Sequence, residues 1–247
     1  MSVHIVIVGA TSAIAQAVAR RYAADQAALF LVARDADKLA LVAVDLGARG
    51  ASRVHTFVMD ASDYSRLDEL CSTAWSDLGH VDVVLIAHGT LPDQRRTQTD
   101  LPYGIQEFRI NGESAIACMS VLGERLKSQG RGVLAVIGSV AGDRGRGSNY
   151  LYGSAKAAVD AFASGLRARL FKTGVHVLTI KPGFVATPMT AGLDLPARLT
   201  AQSDQVAADI VRAVSARRDV LYTPWFWRFI MGIIRLVPNA IFKRSKL

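Results

Sequence analysis

Cysteine is scarce in this 247-residue chain, which contains only Cys71 and Cys118. The two cysteines form no CxxC pair, and no group of histidines lies near either of them in the sequence. A disulfide framework and a structural zinc site are therefore unsupported, and we expect no bound metal. So few cysteines fit a reducing compartment such as the cytoplasm.

Long hydrophobic runs are also missing. A bilayer-spanning helix needs about eighteen or more consecutive apolar residues, and no such run occurs, so none is expected. An apolar run at residues 4–8 leads directly into a glycine turn, which leaves no room for a signal peptide. We therefore expect a cytoplasmic protein, and the tail described below adds peripheral contact with the inner face of the membrane.

Acidic residues are absent from residues 220–247, where five basic residues occur: Arg228, Arg235, Lys243, Arg244 and Lys246. They account for five of the eight charges in the formal net charge of +8. The rest of the chain is close to ordinary in charge, so we expect no nucleic-acid partner.

Apolar residues make up 51% of the chain, and short β-branched runs alternate with longer helical patterns. The pattern predicts strands at residues 3–8, 28–33, 53–57, 81–86, 132–137, 175–180 and 220–222. It predicts helices at residues 12–24, 36–46, 64–75, 104–127, 150–171 and 205–216. This order indicates an α/β fold of the Rossmann type, a doubly wound parallel sheet of about seven strands with helices on both faces. We expect one domain at residues 1–222 and an amphipathic basic tail at 223–247.

A glycine turn after the first strand indicates a nucleotide site. Gly9 is followed by Thr11, Ser12, Ala13 and Ile14 at the start of a helix, where backbone N–H groups can meet a pyrophosphate. Alanines at 13 and 15 replace the two later glycines of such turns, so this segment alone fits a plain strand–helix loop equally well.

The ends of the second and third strands favour NADP(H). Arg34 follows the second strand where an NAD site usually has an acidic residue, and it is suited to a 2′-phosphate. The alternative is a solvated arginine near Asp35 and Asp37. Asp60 and Ala61 follow the third strand, where Asp60 is placed either to meet the adenine edge or to cap a helix.

A serine, a tyrosine and a lysine form the strongest motif. Ser139 ends the fifth strand, and Tyr152 and Lys156 follow at i, i+4 on one helical face. The nearby ammonium is expected to lower the pKa of the phenol toward neutrality, so that Tyr152 can act as an acid–base catalyst.

This set of motifs resembles the short-chain dehydrogenase/reductase family over about residues 1–222. The resemblance implies that Tyr152 is the general acid/base, that Lys156 is its pKa partner and a ribose ligand, and that Ser139 positions the substrate oxygen. It implies a water relay supported by Asn111. It also implies a cofactor turn at Pro182, Gly183, Val185 and Thr187, in which the Val185 backbone meets the nicotinamide amide and Thr187 assists.

Two departures from the family pattern stand out. One is the alanine-substituted turn, which bears on cofactor affinity. The other is the segment after the fourth strand, Ile86-Ala87-His88-Gly89, where the family has Asn-Asn-Ala-Gly. Ala87, His88 and Gly89 are predicted to line the cofactor, and His88 is either structural or cofactor-lining.

Substrate clues lie in a loop and in the tail. Arg144 and Arg146 lie in the loop before the catalytic helix, where they are predicted to bind a phosphate or carboxylate of the substrate. The alternative is a solvated basic turn. Residues 184–199 are expected to form a mobile lid.

In the tail, Trp227, Ile230, Ile234 and Val237 follow helical spacing, which predicts an apolar stripe lying on an anionic membrane surface. A tail buried in a homodimer is the alternative, and a homodimer or homotetramer is expected in either case.

These features together are similar to bacterial ketoreductases that act on a decaprenylphosphoryl-linked 2-keto sugar. The sequence thus predicts NADP(H)-dependent ketone reduction or alcohol oxidation on an amphiphilic or lipid-linked substrate. The alternatives are a steroid-like or fatty carbonyl substrate, and a non-catalytic nucleotide-binding membrane adaptor.

Overall fold

The computed structural model describes residues 2–244, so Lys246 lies outside the described residues. The strands, in chain order, are β1 His4–Val8, β2 Ala28–Ala33, β3 Arg53–Val58, β4 Val83–Ile86, β5 Gly132–Ile137, β6 Val175–Pro182, β7 Phe184–Ala186, β8 Thr200–Gln202 and β9 Val220–Thr223. The helices are α1 Ala13–Ala24, α2 Ala36–Ala48, α3 Leu67–Leu78, α4 Gln94–Thr99, α5 Leu101–Phe108, α6 Ser114–Gln129, α7 Tyr150–Leu170, α8 Ser203–Ser215, α9 Trp227–Leu236 and α10 Asn239–Phe242.

A seven-stranded sheet with the order β3-β2-β1-β4-β5-β6-β9 forms the centre of the protein, and its strand pairs are all parallel. Successive side chains of β1 enter opposite cores, with Ile5 and Ile7 on one side of the sheet and Val6 and Val8 on the other. Residues of α1, α2 and α8 complete the first core, and residues of α3, α6 and α7 complete the second. The predicted fold class is confirmed.

The strand order reverses between β1 and β4. At such a switch point the loops after neighbouring strands separate and leave a crevice at the carboxyl edge of the sheet. The predicted nucleotide turn follows β1, and the segments with His88 and Ser139 follow β4 and β5. The topology therefore gathers the predicted site residues along one edge.

Differences from the sequence-based elements are small, and most concern the ends of elements. The predicted helix at 64–75 begins with a 3₁₀ turn at Tyr64–Arg66 before α3. The predicted helix at 104–127 starts earlier, as α5, and a π-helical turn at Arg109–Glu113 joins it to α6. The short pair β7–β8 and helices α4 and α10 were not predicted.

The C-terminal segment packs against the body. Trp227 and Met231 of α9 are buried against Val140, with Phe184 and Leu199 at the edge of the same cluster. The division between a domain at 1–222 and a tail stays a prediction, although the tail shares this small core with the body. Among residues 2–244, none of the helices combines the length and apolar character needed to cross a bilayer.

Candidate active site

Close backbone approach brings Ser139 and Tyr152 together. A Cβ at Gly153 would lie 2.8 Å from the Ala141 carbonyl oxygen, so the glycine lets α7 pack directly on the segment after Ser139. The Ser139 hydroxyl accepts a hydrogen bond from the Ala141 N–H at 3.1 Å. It also hydrogen-bonds the Tyr152 phenol. The serine is thus fixed beside the phenol, as its predicted role requires.

Lys156 lies one helical turn beyond Tyr152 on the same face. Its ammonium donates to the Ile137 carbonyl at 3.0 Å and lies 5.7 Å from the centre of the Tyr152 ring. The lysine is 3% exposed, so its charge is held almost without water. Burial lowers its pKa to about 8, and the negative charge of Asp160 opposes that shift.

The phenol differs from the sequence-based expectation. Burial raises the pKa of Tyr152 to about 12, while its hydrogen bond with Ser139 acts in the opposite direction. Desolvation of the phenolate therefore outweighs any stabilisation by Lys156 in the protein without cofactor. Tyr152 is a neutral proton donor at physiological pH, the form that protonates a carbonyl oxygen.

Asn111 is buried in the π-helical turn. Its amide nitrogen donates to the Glu107 carbonyl at 3.0 Å and to the Thr90 hydroxyl at 2.9 Å, and its oxygen accepts from the Thr90 N–H at 2.9 Å. A Cβ at Gly89 would lie 2.9 Å from that oxygen and 3.6 Å from the Lys156 nitrogen. The Asn111 and Lys156 side chains therefore both lie beside Gly89, close enough for a water to bridge them. The water relay itself stays a prediction.

The turn after β1 fits a dinucleotide pyrophosphate. Gly9 has φ +83°, and a Cβ there would lie 2.5 Å from the His88 backbone nitrogen, so only glycine is accommodated. Ser12 caps α1 by accepting from the Ala15 N–H at 3.3 Å. Within residues 2–244, no hydrogen bond engages the N–H groups of Thr11, Ala13 or Ile14. The helix start thus offers free donors to an anion despite its alanines.

His88 lies behind this turn. Its Nε2 is 2.7 Å from the Ser114 hydroxyl, which itself donates to the Ile110 carbonyl at 2.7 Å. Because that hydroxyl proton is already used, His88 donates from Nε2, and Nδ1 is an acceptor that is buried without a partner within residues 2–244. Burial lowers the pKa of His88 to about 4, with the charge of Lys156 in support. The imidazole is therefore neutral at physiological pH.

Arg34 and Asp60 lie side by side at the carboxyl ends of β2 and β3, with 3.8 Å between the guanidinium and the carboxylate. Asp60 also accepts from the Ser62 hydroxyl at 2.6 Å and from its N–H at 2.9 Å, and these bonds lower its pKa. The Arg34 side chain is 69% exposed, which leaves it accessible to a ligand, and that of Asp60 is about half exposed. Ala61 follows in the same loop, and Ala87 lies directly after β4.

The turn after β6 is braced by a threonine. Thr190 donates to the Val185 carbonyl at 2.7 Å and accepts from the Thr187 N–H at 3.1 Å. Pro182 ends β6, and Gly183 contacts the Trp227 indole so closely that a Cβ would lie 1.9 Å from its nitrogen. The predicted nicotinamide turn is therefore supported by α9 from behind.

Arg144 and Arg146 have different surroundings. Arg144 donates to the Ile234 carbonyl, to the Val237 carbonyl at 2.6 Å and to the Asn239 side chain at 2.8 Å. It thus caps the end of α9, and its predicted substrate contact is untested. Arg146 is half-buried, and within residues 2–244 its guanidinium has neither a hydrogen-bond nor an ion-pair partner.

Sequence reasoning missed a charged cluster beneath the catalytic helix. Lys181 lies 2.5 Å from Asp143 and 2.8 Å from Asp160, and Tyr222 donates to Asp143 at 2.9 Å. Burial raises the pKa of Asp160 while Lys181 opposes this. Asp160 continues the i, i+4 spacing of Tyr152 and Lys156 by one more turn, a signal visible in the sequence.

Comparisons with known proteins agree with this geometry. The family model for short chain dehydrogenase matches residues 3–196. An uncharacterized oxidoreductase of Mycobacterium tuberculosis is 39% identical over 240 residues, covering 97% of this chain and 96% of the relative. One from Streptomyces coelicolor is 36% identical over 241 residues, covering 97% and 94%. The chain belongs to the short-chain dehydrogenase family and is an oxidoreductase of that family, which binds a nicotinamide cofactor.

Solved structures share the fold. Levodione reductase superposes with a TM-score of 0.83 at 22% identity, covering 90% of this chain and 96% of that chain. An actinorhodin polyketide ketoreductase variant solved with NADPH gives a TM-score of 0.80 at 20% identity, covering 90% and 95%. At these identities the likeness establishes the architecture alone.

Proposed function

We propose that the protein reduces a ketone to a secondary alcohol with NADPH, or runs the reverse oxidation with NADP⁺. The observation that carries this proposal is the neutral Tyr152 phenol held between Ser139 and Lys156 at the carboxyl edge of the sheet. Nicotinamide supplies or accepts the hydride when bound. A non-catalytic adaptor would have no use for this set of three residues.

Each residue has a distinct part in reduction. Ser139 donates a hydrogen bond to the substrate oxygen and holds it beside Tyr152. Tyr152 gives its proton to that oxygen as negative charge develops there, which is general acid catalysis. Lys156 stabilises the phenolate that remains, and the proposed part of Asn111 is to support a water that returns a proton through the lysine.

The experiment compares Tyr152→Phe with the wild type in NADPH oxidation over a panel of ketones. Turnover should fall by roughly 10²–10⁴, the usual worth of a positioned acid, while NADPH binding is kept. Tyr150→Phe is the matched control, because Tyr150 lies in the same helical turn but is 44% exposed. Near-normal turnover of Tyr152→Phe would remove the phenol from the mechanism.

The preference for NADP(H) is proposed from Arg34. Its guanidinium is exposed beside Asp60, and residues 31–34 contain no acid that would accept a bond from a ribose 2′-hydroxyl. Arg34→Ala should weaken NADPH binding while leaving NADH binding almost unchanged. Equal affinities of the wild type for the two cofactors would refute this assignment.

For the substrate we propose an amphiphilic ketone with an anionic group, such as a lipid-linked sugar phosphate. Arg146 supports the anion, since it is a half-buried guanidinium without a partner in the described chain. Val140, the residue after Ser139, belongs to an apolar cluster with Phe184 and Leu199, so apolar side chains lie close to the site. Arg146→Gln should raise KM for an anionic ketone and leave KM for a neutral one unchanged. An equal effect on both would favour a neutral steroid-like or fatty carbonyl compound.

A further inference from the structure

Helix α9 has two apolar faces. The inner face contains Trp227 and Met231, which are 3% and 0% exposed, and half-buried Ile230 and Ile234 beside them. Trp227 meets Phe184 edge to face at 5.2 Å between ring centres. Three of the four residues predicted for the membrane stripe, Trp227, Ile230 and Ile234, therefore pack on the protein itself. The membrane-facing stripe was assigned to the wrong side of the helix.

The outer face is apolar and open to solvent. It consists of Phe229, Ile233 and Leu236 of α9, which are 64%, 68% and 84% exposed, and of Trp225 just before the helix, which is 71% exposed. Steps of four and three residues align Phe229, Ile233 and Leu236 along one side of the helix. The Trp225 ring extends the row, since it lies 5.9 Å from the Phe229 ring. A continuous row of large apolar side chains in water is a feature of interaction surfaces.

Positive charge lies along one side of this outer face and beyond its C-terminal end. Arg228 and Arg235 are seven residues apart, so they lie on one side of α9, next to the row. Lys243 and Arg244 follow and are exposed. No acidic residue occurs after position 219, and in the described part of the chain none of these four cations forms an ion pair within 4.0 Å. The charge complements an anionic surface.

We propose that the outer face of α9 docks on the headgroup region of an anionic lipid bilayer without crossing it. Aromatic and aliphatic side chains with flanking cations suit that interface. A second copy of this chain is less suitable, because a two-fold contact would place the same four cations opposite each other.

Docking through α9 also determines which side of the active site faces the bilayer. The inner face of the same helix packs on Val140, the residue after Ser139, and on Phe184 in the turn after β6. The helix is one thin layer between the outer surface and these segments. A bound bilayer would therefore lie against the substrate side of the site, which suits an amphiphilic ketone. This orientation rests on the proposed function, whereas the docking does not.

The test is sedimentation of the full chain with vesicles of phosphatidylcholine alone or mixed with phosphatidylglycerol. Binding should require the anionic lipid and fall as salt rises. The double variant Phe229→Ser/Ile233→Ser should bind at least about tenfold more weakly. Its matched control is Leu41→Ser/Val44→Ser, which removes two residues that are 71% and 72% exposed on α2 and should bind as the wild type does.

Two further measurements separate docking from its alternatives. Doxyl-labelled lipid should quench the fluorescence of Trp225, and Trp225→Phe should abolish the quenching because the other two tryptophans, Trp75 and Trp227, are buried. Turnover of a soluble ketone checks that every variant is folded and active. The proposal is overturned if both double variants bind vesicles equally. It is also overturned if Phe229→Ser/Ile233→Ser changes the oligomeric state in sedimentation velocity while vesicle binding is unaffected.

Discussion

The buried neutral imidazole of His88 predicts a measurable acid sensitivity. Its pKa is lowered from 6.5 to about 4 in the folded protein, while the unfolded chain keeps a value of about 6.5. The unfolded state therefore takes up this proton first as the pH falls. The contribution of His88 to stability is complete above pH 6.5 and is lost progressively between about pH 6.5 and pH 4.

The size of the effect follows from the two pKa values. Each unit of difference is worth about 1.4 kcal/mol, and at pH 5 about one and a half units have been lost. The wild type should therefore lose about 2 kcal/mol of unfolding free energy between pH 7.5 and pH 5 through this one group. Other groups titrate over the same range, so the measurement needs a reference protein that lacks only the imidazole.

The reference is His88→Asn, which keeps an amide near Ser114 but does not titrate. Urea unfolding of both proteins at pH 7.5 and pH 5 gives the two changes in free energy, and the wild type should lose about 2 kcal/mol more. From pH 7.5 to pH 9 the two should change in parallel, which is the internal control. Parallel behaviour down to pH 5 as well would show that His88 is not buried as a neutral group.

Three further outcomes are expected. Gly183→Ala should lower the unfolding free energy by about 1–3 kcal/mol, because the added methyl group would collide with the Trp227 ring. Gly192→Ala is the control, since it has open space around it and should not change stability. Equal melting temperatures for the two variants would contradict this packing. Arg144→Ala should speed proteolysis of the segment after α9, because Arg144 holds the end of that helix, and should leave KM for ketones unchanged. An altered KM would instead show that Arg144 contacts the substrate. The cofactor-free protein should show no phenolate from Tyr152 below about pH 11 in ultraviolet difference titration against Tyr152→Phe, since its pKa is about 12.

Most strands were predicted well because they are short apolar runs that alternate with longer helical patterns. The strand at 132–137 matches β5 at both ends. Helix ends were predicted less accurately because polar first turns resemble loops, and α3 begins three residues later than predicted. The pair β7–β8 was missed because three-residue strands carry no periodic signal.

The relative positions of the site residues were predictable where they follow from spacing along a helix. Properties that depend on burial, such as pKa values, were not predictable from the sequence. The i, i+4 relation of Tyr152 and Lys156 was readable, but the rise in the pKa of the phenol depends on how far the segments packed against α7 shield it from water. The tail shows the same limit. Its sequence contains two apolar stripes at helical spacing, and only the cluster at Val140 and Phe184 shows which stripe faces inward.

The π-helical turn at Arg109–Glu113 constrains how this helix can change in length. A regular α-helix repeats every 3.6 residues, so each residue advances the helix by about 100°. The wide turn holds one extra residue, and the Asn111 and Ser114 side chains donate to the Glu107 and Ile110 carbonyls around it. Deleting one residue there would let the wide turn close into a regular α-helical turn, so α5 and α6 would keep nearly the same relative orientation. A gap at this point in the chain would therefore be absorbed within one turn, and its main effect would be to remove the bulge that holds Asn111 near Lys156.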